Sequence, residues 1–293
     1  MAEMIRFFTF SQFHNKRPIA GSTHIRVNQL LKYWPEAGLY KYGENPDVLV
    51  FQKVYVNVDY RFPEHFKGIK ILDICDPDWF NGVTDIAETA QLMDAITCPT
   101  EAIADFMRQL TDKPVKVIKD RFDMDCVPPP KTHRGKAKSV VWFGYIHNAE
   151  VLRHALQAIF DHRLKLIIIS NDDPLAFRWA INETVANHIK SKYTFIKYDE
   201  NTIYQDLQKA DFAILPKGNR PEDAFKSENK AVKCILAGLP VATNIDDVDT
   251  YMKAENRQQF VDKELEPVKT QYDVKLSVQE YKELIHEVEA NRR

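Results

Sequence analysis

Phe212-Ala213-Ile214-Leu215-Pro216-Lys217-Gly218 and, five residues on, Ala224-Phe225-Lys226-Ser227-Glu228-Asn229-Lys230-Ala231-Val232-Lys233-Cys234-Ile235-Leu236-Ala237-Gly238-Leu239-Pro240-Val241 together decide the fold. The first segment is a short apolar run closed by Pro-Lys-Gly, which reads as a buried strand running into a loop. A helix is predicted over Ser227–Leu236 with Ser227 as its cap, and Gly238 and Pro240 end it before the next strand, Pro240–Ala242. Backbone N–H groups in the first turn of such a helix have no partner within it and attract anions. Lys217, Lys226 and Lys230 add positive charge around that turn.

The strand–helix alternation extends in both directions. Upstream, Ile5–Phe10, Asp47–Phe51, Ile69–Ile74, Ala95–Thr97 and Val115–Ile118 are short, apolar and β-branched or aromatic. Between them a helix capped by Ser22 carries Ile25, Val27, Leu30, Leu31 and Trp34, and one capped by Thr100 carries Ile103, Phe106, Met107 and Leu110. Residues 119–138 break the pattern with Pro128 to Pro130 and a basic patch, Lys131, Arg134, Lys136 and Lys138, which is a linker composition. The alternation then resumes with strands Val140–Phe143, Leu164–Ile169 and Thr194–Lys197 and helices Asn148–Phe160 and Pro174–Ile189. Ser277-x-x-Glu280 has the spacing of a capping box for a last helix bearing Val278, Tyr281, Leu284, Ile285 and Val288. The prediction is an α/β protein with an N-terminal domain over 1–125, a linker over 126–138, a second domain over 139–276 and a terminal helix over 277–293.

Composition narrows the function. The chain has 293 residues, 40 Lys plus Arg against 42 Asp plus Glu, a net charge of −2, and 44% hydrophobic residues. That gives no encouragement to a general nucleic-acid binder. The nine glycines, about 3% against a usual ~7%, form neither G-x-G-x-x-G nor a P-loop. Cys75, Cys98, Cys126 and Cys234 are scattered without C-x-x-C and read as reduced thiols of a cytoplasmic protein. No metal-ligand set and no cofactor motif is read. No apolar run reaches membrane-span length, and the Met4–Phe10 start lacks a signal-peptide layout, so the sequon at Asn182 is expected to carry no glycan.

The segment around Ser227, with its "Lys-Ser-x-Asn-Lys" helix start and "Ala-Gly-Leu-Pro-Val" end, resembles the donor-binding segment of GT-B-fold glycosyltransferases of the large retaining, nucleotide-sugar-dependent group (family 4-like). Met93–Glu101, Val115–Asp123, Val141-Trp142-Phe143-Gly144 and Gly21–Arg26 resemble other stretches of that family in the same order. The resemblance implies two Rossmann-like domains facing across a cleft, with the C-terminal helix crossing back to the first. It further implies transfer of a sugar from a UDP- or GDP-sugar with retention of configuration, with the acceptor bound mainly by the N-terminal domain, and the expectation is a metal-independent enzyme without a cofactor. One departure stands out: where much of the family has a ribose-binding glutamate, this chain has Lys233.

On this reading Gly144, Lys217, Ser227, Glu228, Asn229 and Lys230 bind the donor. Glu228 either replaces the ribose contact or simply favours the helix start. His14, Lys16, Arg17, Gly21, His24 and Arg26 form a basic entry loop that can meet a negatively charged donor or acceptor, with His14, Arg17 and Gly21 on the acceptor side and His24, Arg26, Asp76 and Lys230 as the catalytic candidates. Asp73-Ile74-Cys75-Asp76-Pro77-Asp78-Trp79 ends a strand, where ligands of open sheets bind. Asp76 is an acceptor ligand or base, or else the cap of a turn; Asp78 and Trp79 flank it on the acceptor side. Three alternatives stay open: a metal-dependent transferase using Asp76-x-Asp78, a non-catalytic sugar-nucleotide binder, and a modified nucleic-acid base as acceptor. The acceptor classes expected are a glycan, a lipid-linked molecule or another hydroxyl, with peripheral membrane contact left open.

Overall fold

The computed structural model describes residues 4–15, 19–83, 85–174 and 193–292. Arg17, Asn182 and nearly all of the helix expected over 174–189 lie outside these. The chain divides into two compact units. The first comprises Met1–Met124, Arg220–Ser227 and Tyr272–Arg293, and the second Asp125–Asn219 and Glu228–Gln271.

The first unit is built on six strands: β1 (Ile5–Thr9), β2 (Ala37–Leu39), β3 (Val48–Gln52), β4 (Ile69–Asp73), β5 (Ala95–Cys98) and β6 (Val115–Val117). Their order is β2-β1-β3-β4-β5-β6, every pair parallel. Each crossover must then traverse a sheet face, which is why apolar side chains fill both faces of β3. On one face Phe7, Val27, Leu30 and Trp34 pack with Val274, Val278, Tyr281, Leu284, Ile285 and Val288 of the last helix. On the other, Leu49, Leu72 and Ile96 meet Ile103, Ala104 and Met107, whose helix is capped by Thr100 as expected.

The second unit holds β7 (Ser139–Phe143), β8 (Lys165–Ser170), β9 (Tyr193–Lys197), β10 (Phe212–Ile214) and β11 (Val241–Ala242), ordered β11-β10-β7-β8-β9 and again all parallel. Trp142, Ile168, Phe212 and Ile214 contribute to its core. Asp211 accepts from the backbone N–H of Lys138 and Ser139 at 2.8 and 3.0 Å and so pins the entry to β7.

Several expectations need correction. Ser22 caps nothing: helical structure begins at Gly21 after Ala20, and His24–Asn28 forms a π-turn within it. The helix expected over 148–160 is a 3₁₀ segment, Ile146–His154, followed by an α-helix, Leu156–Asp161. The buried residues Ile146, Ala149, Leu152 and Ala155 recur every third position, which fits a threefold turn better than 3.6. Ser277 is not a cap, because the last helix starts at Val274; Ser277 and Glu280 instead hold the Arg121 guanidinium. The helix Ala254–Gln271, unread in the sequence, carries a fully buried Arg257 that donates to the carbonyls of Tyr251, Met252 and Gly135. In the basic stretch, Lys131 donates to the carbonyls of Gln208 and Ala210 rather than standing only in solvent.

Candidate functional site

In a parallel open sheet the strand order reverses at one place, and the loops at the strands' carboxyl ends part there to leave a crevice. In the second unit that place lies between β7 and β10. Gly144 follows β7 and Pro216-Lys217-Gly218 follows β10. Gly144 has φ 154°, a region in which side-chain-bearing residues are strained, and a Cβ there would lie 3.0 Å from Nζ of Lys230 and 3.3 Å from the Trp142 ring. The turn is held by the Gly144 N–H donating to Ile169 O (3.1 Å) and by Ser170 Oγ donating to Gly144 O (2.8 Å). Lys230 lies in the first turn of the helix Asn229–Leu236, its ammonium 5.9 Å from the Trp142 ring centroid. The fold therefore brings Gly144 and Lys230, 86 positions apart in sequence, into contact. Lys217 is exposed beside β10.

The helix start differs from expectation. Glu228, exposed, occupies the capping position and makes no side-chain cap, with Asn229 as the first helical residue. Ser227 is excluded from capping because its hydroxyl donates to Asp120 Oδ2 at 2.5 Å within the first unit. One turn into the same helix, Lys233 is 3% exposed and donates to Glu200 Oε1 at 2.7 Å. Burial lowers the Lys233 pKa despite the Glu200 charge. Tyr198 donates to the other Glu200 oxygen and its own phenol is pushed up, first by burial and then by Glu200. Tyr145, 56% exposed, follows Gly144. Glu200 and Tyr198 were invisible as site residues in the sequence, since only the register of β9 beside β8 delivers them to this rim.

In the first unit the order reverses between β1 and β3. Thr9 caps the short helix Phe10–Phe13 after β1, and Thr23 Oγ1, which receives the Ser11 hydroxyl, donates to Gln52 Oε1 at the end of β3. His14 packs its ring against Phe10 and Phe13, no atom among the described residues lies within 4 Å of where a Cβ on Gly21 would stand, and His24 lies on the π-turn. Arg26 faces inward. It is 6% exposed and donates to both oxygens of Asp73, to Asp120 Oδ1 (2.9 Å) and to Ile118 O (2.9 Å). Burial opposes its charge, yet Asp73 and Asp120 raise its pKa well above the ordinary guanidinium value. Thr97 and Tyr281 complete the shell around Asp73 at 2.7 and 3.2 Å. Arg26 is thus committed to an internal ion cluster rather than to the basic entry loop on which the sequence makes it a catalytic candidate.

Asp76 and Asp78 differ from each other. Asp78 is 5% exposed and accepts from Tyr55 at 2.6 Å, whereas the side chain of Asp76 is 48% exposed. Both accept from Lys53. Trp79 stacks on Phe106 with ring centroids 3.8 Å apart and meets Phe225 edge-on at 5.1 Å, so much of its face is spent on packing.

No protein-family model matches the chain, and no curated protein sequence matches it. Solved structures do. AviGT4, a glycosyltransferase involved in avilamycin A biosynthesis, superposes with a TM-score of 0.59 at 12% identity, over 99% of this chain and 98% of its own. TarM superposes with a TM-score of 0.57 at 12% identity, and TarM of S. aureus in complex with fondaparinux, α-GlcNAc-glycerol and UDP with 0.56 at 12%. Both TarM matches cover 81% of this chain, which spans little more than half of TarM, 54% and 55%. Among the described residues no helix is long and apolar enough to cross a membrane. The two parallel sheets of this chain have the GT-B fold of glycosyltransferases.

Proposed function

We propose that the chain is a glycosyltransferase that moves a sugar from a nucleoside-diphosphate sugar to an acceptor hydroxyl, the second unit holding the donor and the first the acceptor. The observation that carries this reading is the approach of the Lys230 ammonium to Gly144 at the β7/β10 crevice. A glycine there lets a diphosphate come close to backbone, and Lys230 in the first turn of the helix Asn229–Leu236 supplies positive potential together with the helix start itself. Those groups would stabilise the negative charge that develops on the leaving diphosphate, so that bond cleavage at the sugar carbon is assisted at the leaving group. Exposed Lys217 is suited to the same anion. The TarM complex holds UDP and α-GlcNAc-glycerol, a nucleotide and a glycoside, which is in keeping with a nucleotide-sugar donor. Retention of configuration is proposed from the family resemblance alone.

The test is calorimetric titration of UDP, GDP and CDP into the wild type and Lys230→Ala. At least one nucleotide is expected to bind, and Lys230→Ala to weaken it more than about tenfold, about 1.4 kcal/mol, with the unfolding midpoint unchanged. A bound nucleotide at 100 times its Kd adds about 2.7 kcal/mol to stability, readable as a thermal shift. Equal affinity of both proteins would remove the phosphate role of Lys230. Binding with no hydrolysis or transfer of any nucleotide sugar would leave a binding protein in place of an enzyme.

A further inference from the structure

Lys53 has no part in the sequence reading, yet it occupies a telling place. It follows β3 directly, at the β1/β3 crevice of the first unit, and its backbone lies at φ 53°, left-handed for a residue that ordinarily avoids it. Its N–H donates to Asp73 O at 2.9 Å, and the unusual turn sends the side chain along the carboxyl end of β4. Its ammonium reaches Asp76 Oδ2 at 2.6 Å and Asp78 Oδ1 at 3.1 Å, with the side chain only 13% exposed.

We infer that Lys53 is the built-in counter-cation of Asp76-x-Asp78: its ammonium sits where a divalent ion would bridge the two carboxylates, and it fixes Asp76 toward the acceptor. Three features carry this. A metal ion needs oxygens at about 2.0–2.6 Å, and the oxygen of each aspartate that could converge on one is already bound to a fixed positive charge. The remaining oxygen of Asp78 is taken by Tyr55 at 2.6 Å, so Asp78 cannot turn to chelate. Among the described residues no group of three or more His, Cys, Asp or Glu could hold a metal ion. Asp76 Oδ1, by contrast, makes no hydrogen bond among the described residues, and its side chain is half exposed. Lys53 therefore pins one oxygen and leaves the other to accept from a hydroxyl group. Lys53 is a positioning residue. Its link to an acceptor rests on the glycosyltransferase reading, whereas the exclusion of a metal does not.

The experiment uses Mn²⁺ as probe, with binding followed by electron paramagnetic resonance and by broadening of amide signals. Lys53→Gly removes the ammonium at a backbone angle glycine tolerates, and Lys53→Arg keeps a cation. Wild type and Lys53→Arg are expected to show no Mn²⁺ site tighter than about 1 mM and no selective broadening near residues 53, 76 and 78. Lys53→Gly is expected to gain a site at least about tenfold tighter, lost again on adding Asp76→Asn. Selective broadening in the wild type, or a folded Lys53→Gly with no gain, overturns the inference; should Lys53→Gly not fold, the wild-type spectrum decides. In turnover assays Lys53→Gly should raise the acceptor KM about tenfold or more with the donor KM unchanged, and Lys53→Arg should restore it. An unchanged acceptor KM refutes the positioning role. A wild type without any transferase activity refutes the functional reading and leaves the Mn²⁺ result to judge the counter-cation.

Discussion

Replacing Glu200 by alanine should strip a buried lysine of its anion. Lys233 is 3% exposed and Glu200 24% exposed by side chain, with 2.7 Å between nitrogen and oxygen. At an effective dielectric of about 20, that separation corresponds to an attraction of about 6 kcal/mol, set against the desolvation of both ions. Removing one member of such a pair typically costs about 3–5 kcal/mol, because the survivor stays buried without its counter-charge. Glu200→Ala is therefore expected to lose about 3–5 kcal/mol at pH 7, and the double variant Glu200→Ala/Lys233→Met to recover most of it. Urea unfolding of the four members of the cycle measures this. The pH dependence gives a second signature. Burial depresses the folded Lys233 pKa below 10.5, so the unfolded chain binds more protons between that depressed value and 10.5, and wild-type stability rises with pH through this window. Without the Glu200 charge, which raises the pKa, the window opens at lower pH. A loss under about 1 kcal/mol in Glu200→Ala, or a double variant no better than the single, would refute the reasoning.

Gly144→Ala meets both a disfavoured φ and the Lys230 ammonium; it should cost about 1–3 kcal/mol in urea unfolding and weaken nucleotide binding in titration, and adding Lys230→Met should relieve the contact but not the backbone strain. Arg26→Met leaves Asp73 and Asp120 buried without their cation and should lower stability by about 3–5 kcal/mol, so lost activity would track lost fold in circular dichroism. His133 donates from Nε2 to Gly238 O and accepts at Nδ1 from Arg257; burial, then the neighbouring cations, lower its pKa below 6.5. Its contribution should be full above pH 6.5 and fade as pH falls below that toward the depressed value, a slope that His133→Gln removes from a pH series of melting curves. Tyr281→Phe deletes the hydroxyl contact to Asp73 and should cost about 1–2 kcal/mol by the same unfolding assay.

What the sequence revealed follows from what its signals report. Val48–Gln52 and Lys165–Ser170 are nearly pure apolar runs, and such runs identify strands buried on both faces whatever their neighbours. The pairing of Gly144 with Lys230 was legible only through family resemblance, because nothing local to either residue announces the other. Local chemistry misled where a side chain had a distant partner. Ser227 looks like a cap in sequence but donates its hydroxyl to Asp120, and Ser277 looks like a box but its hydroxyl accepts from Arg121. Ala37–Leu39 escaped because three residues with a central glycine carry no strand pattern; its pairing to β1 makes it one. Lys53 and Glu200 were missed for a related reason: a lone lysine or glutamate acquires meaning only once a strand's end has been placed beside its neighbour's.

The makeup of the two units bears on protein engineering. The backbone passes from one to the other after Met124, Asn219, Ser227 and Gln271, so neither is a continuous stretch of polypeptide. A fragment cut at Met124 would lack Tyr281 over Asp73 and Ser227 on Asp120, and it would expose the apolar face that Leu284 and Val288 cover. Chimaeras that trade the second unit between related chains would have to exchange two separated pieces while retaining the octapeptide from Arg220 to Ser227 and the closing helix of the recipient.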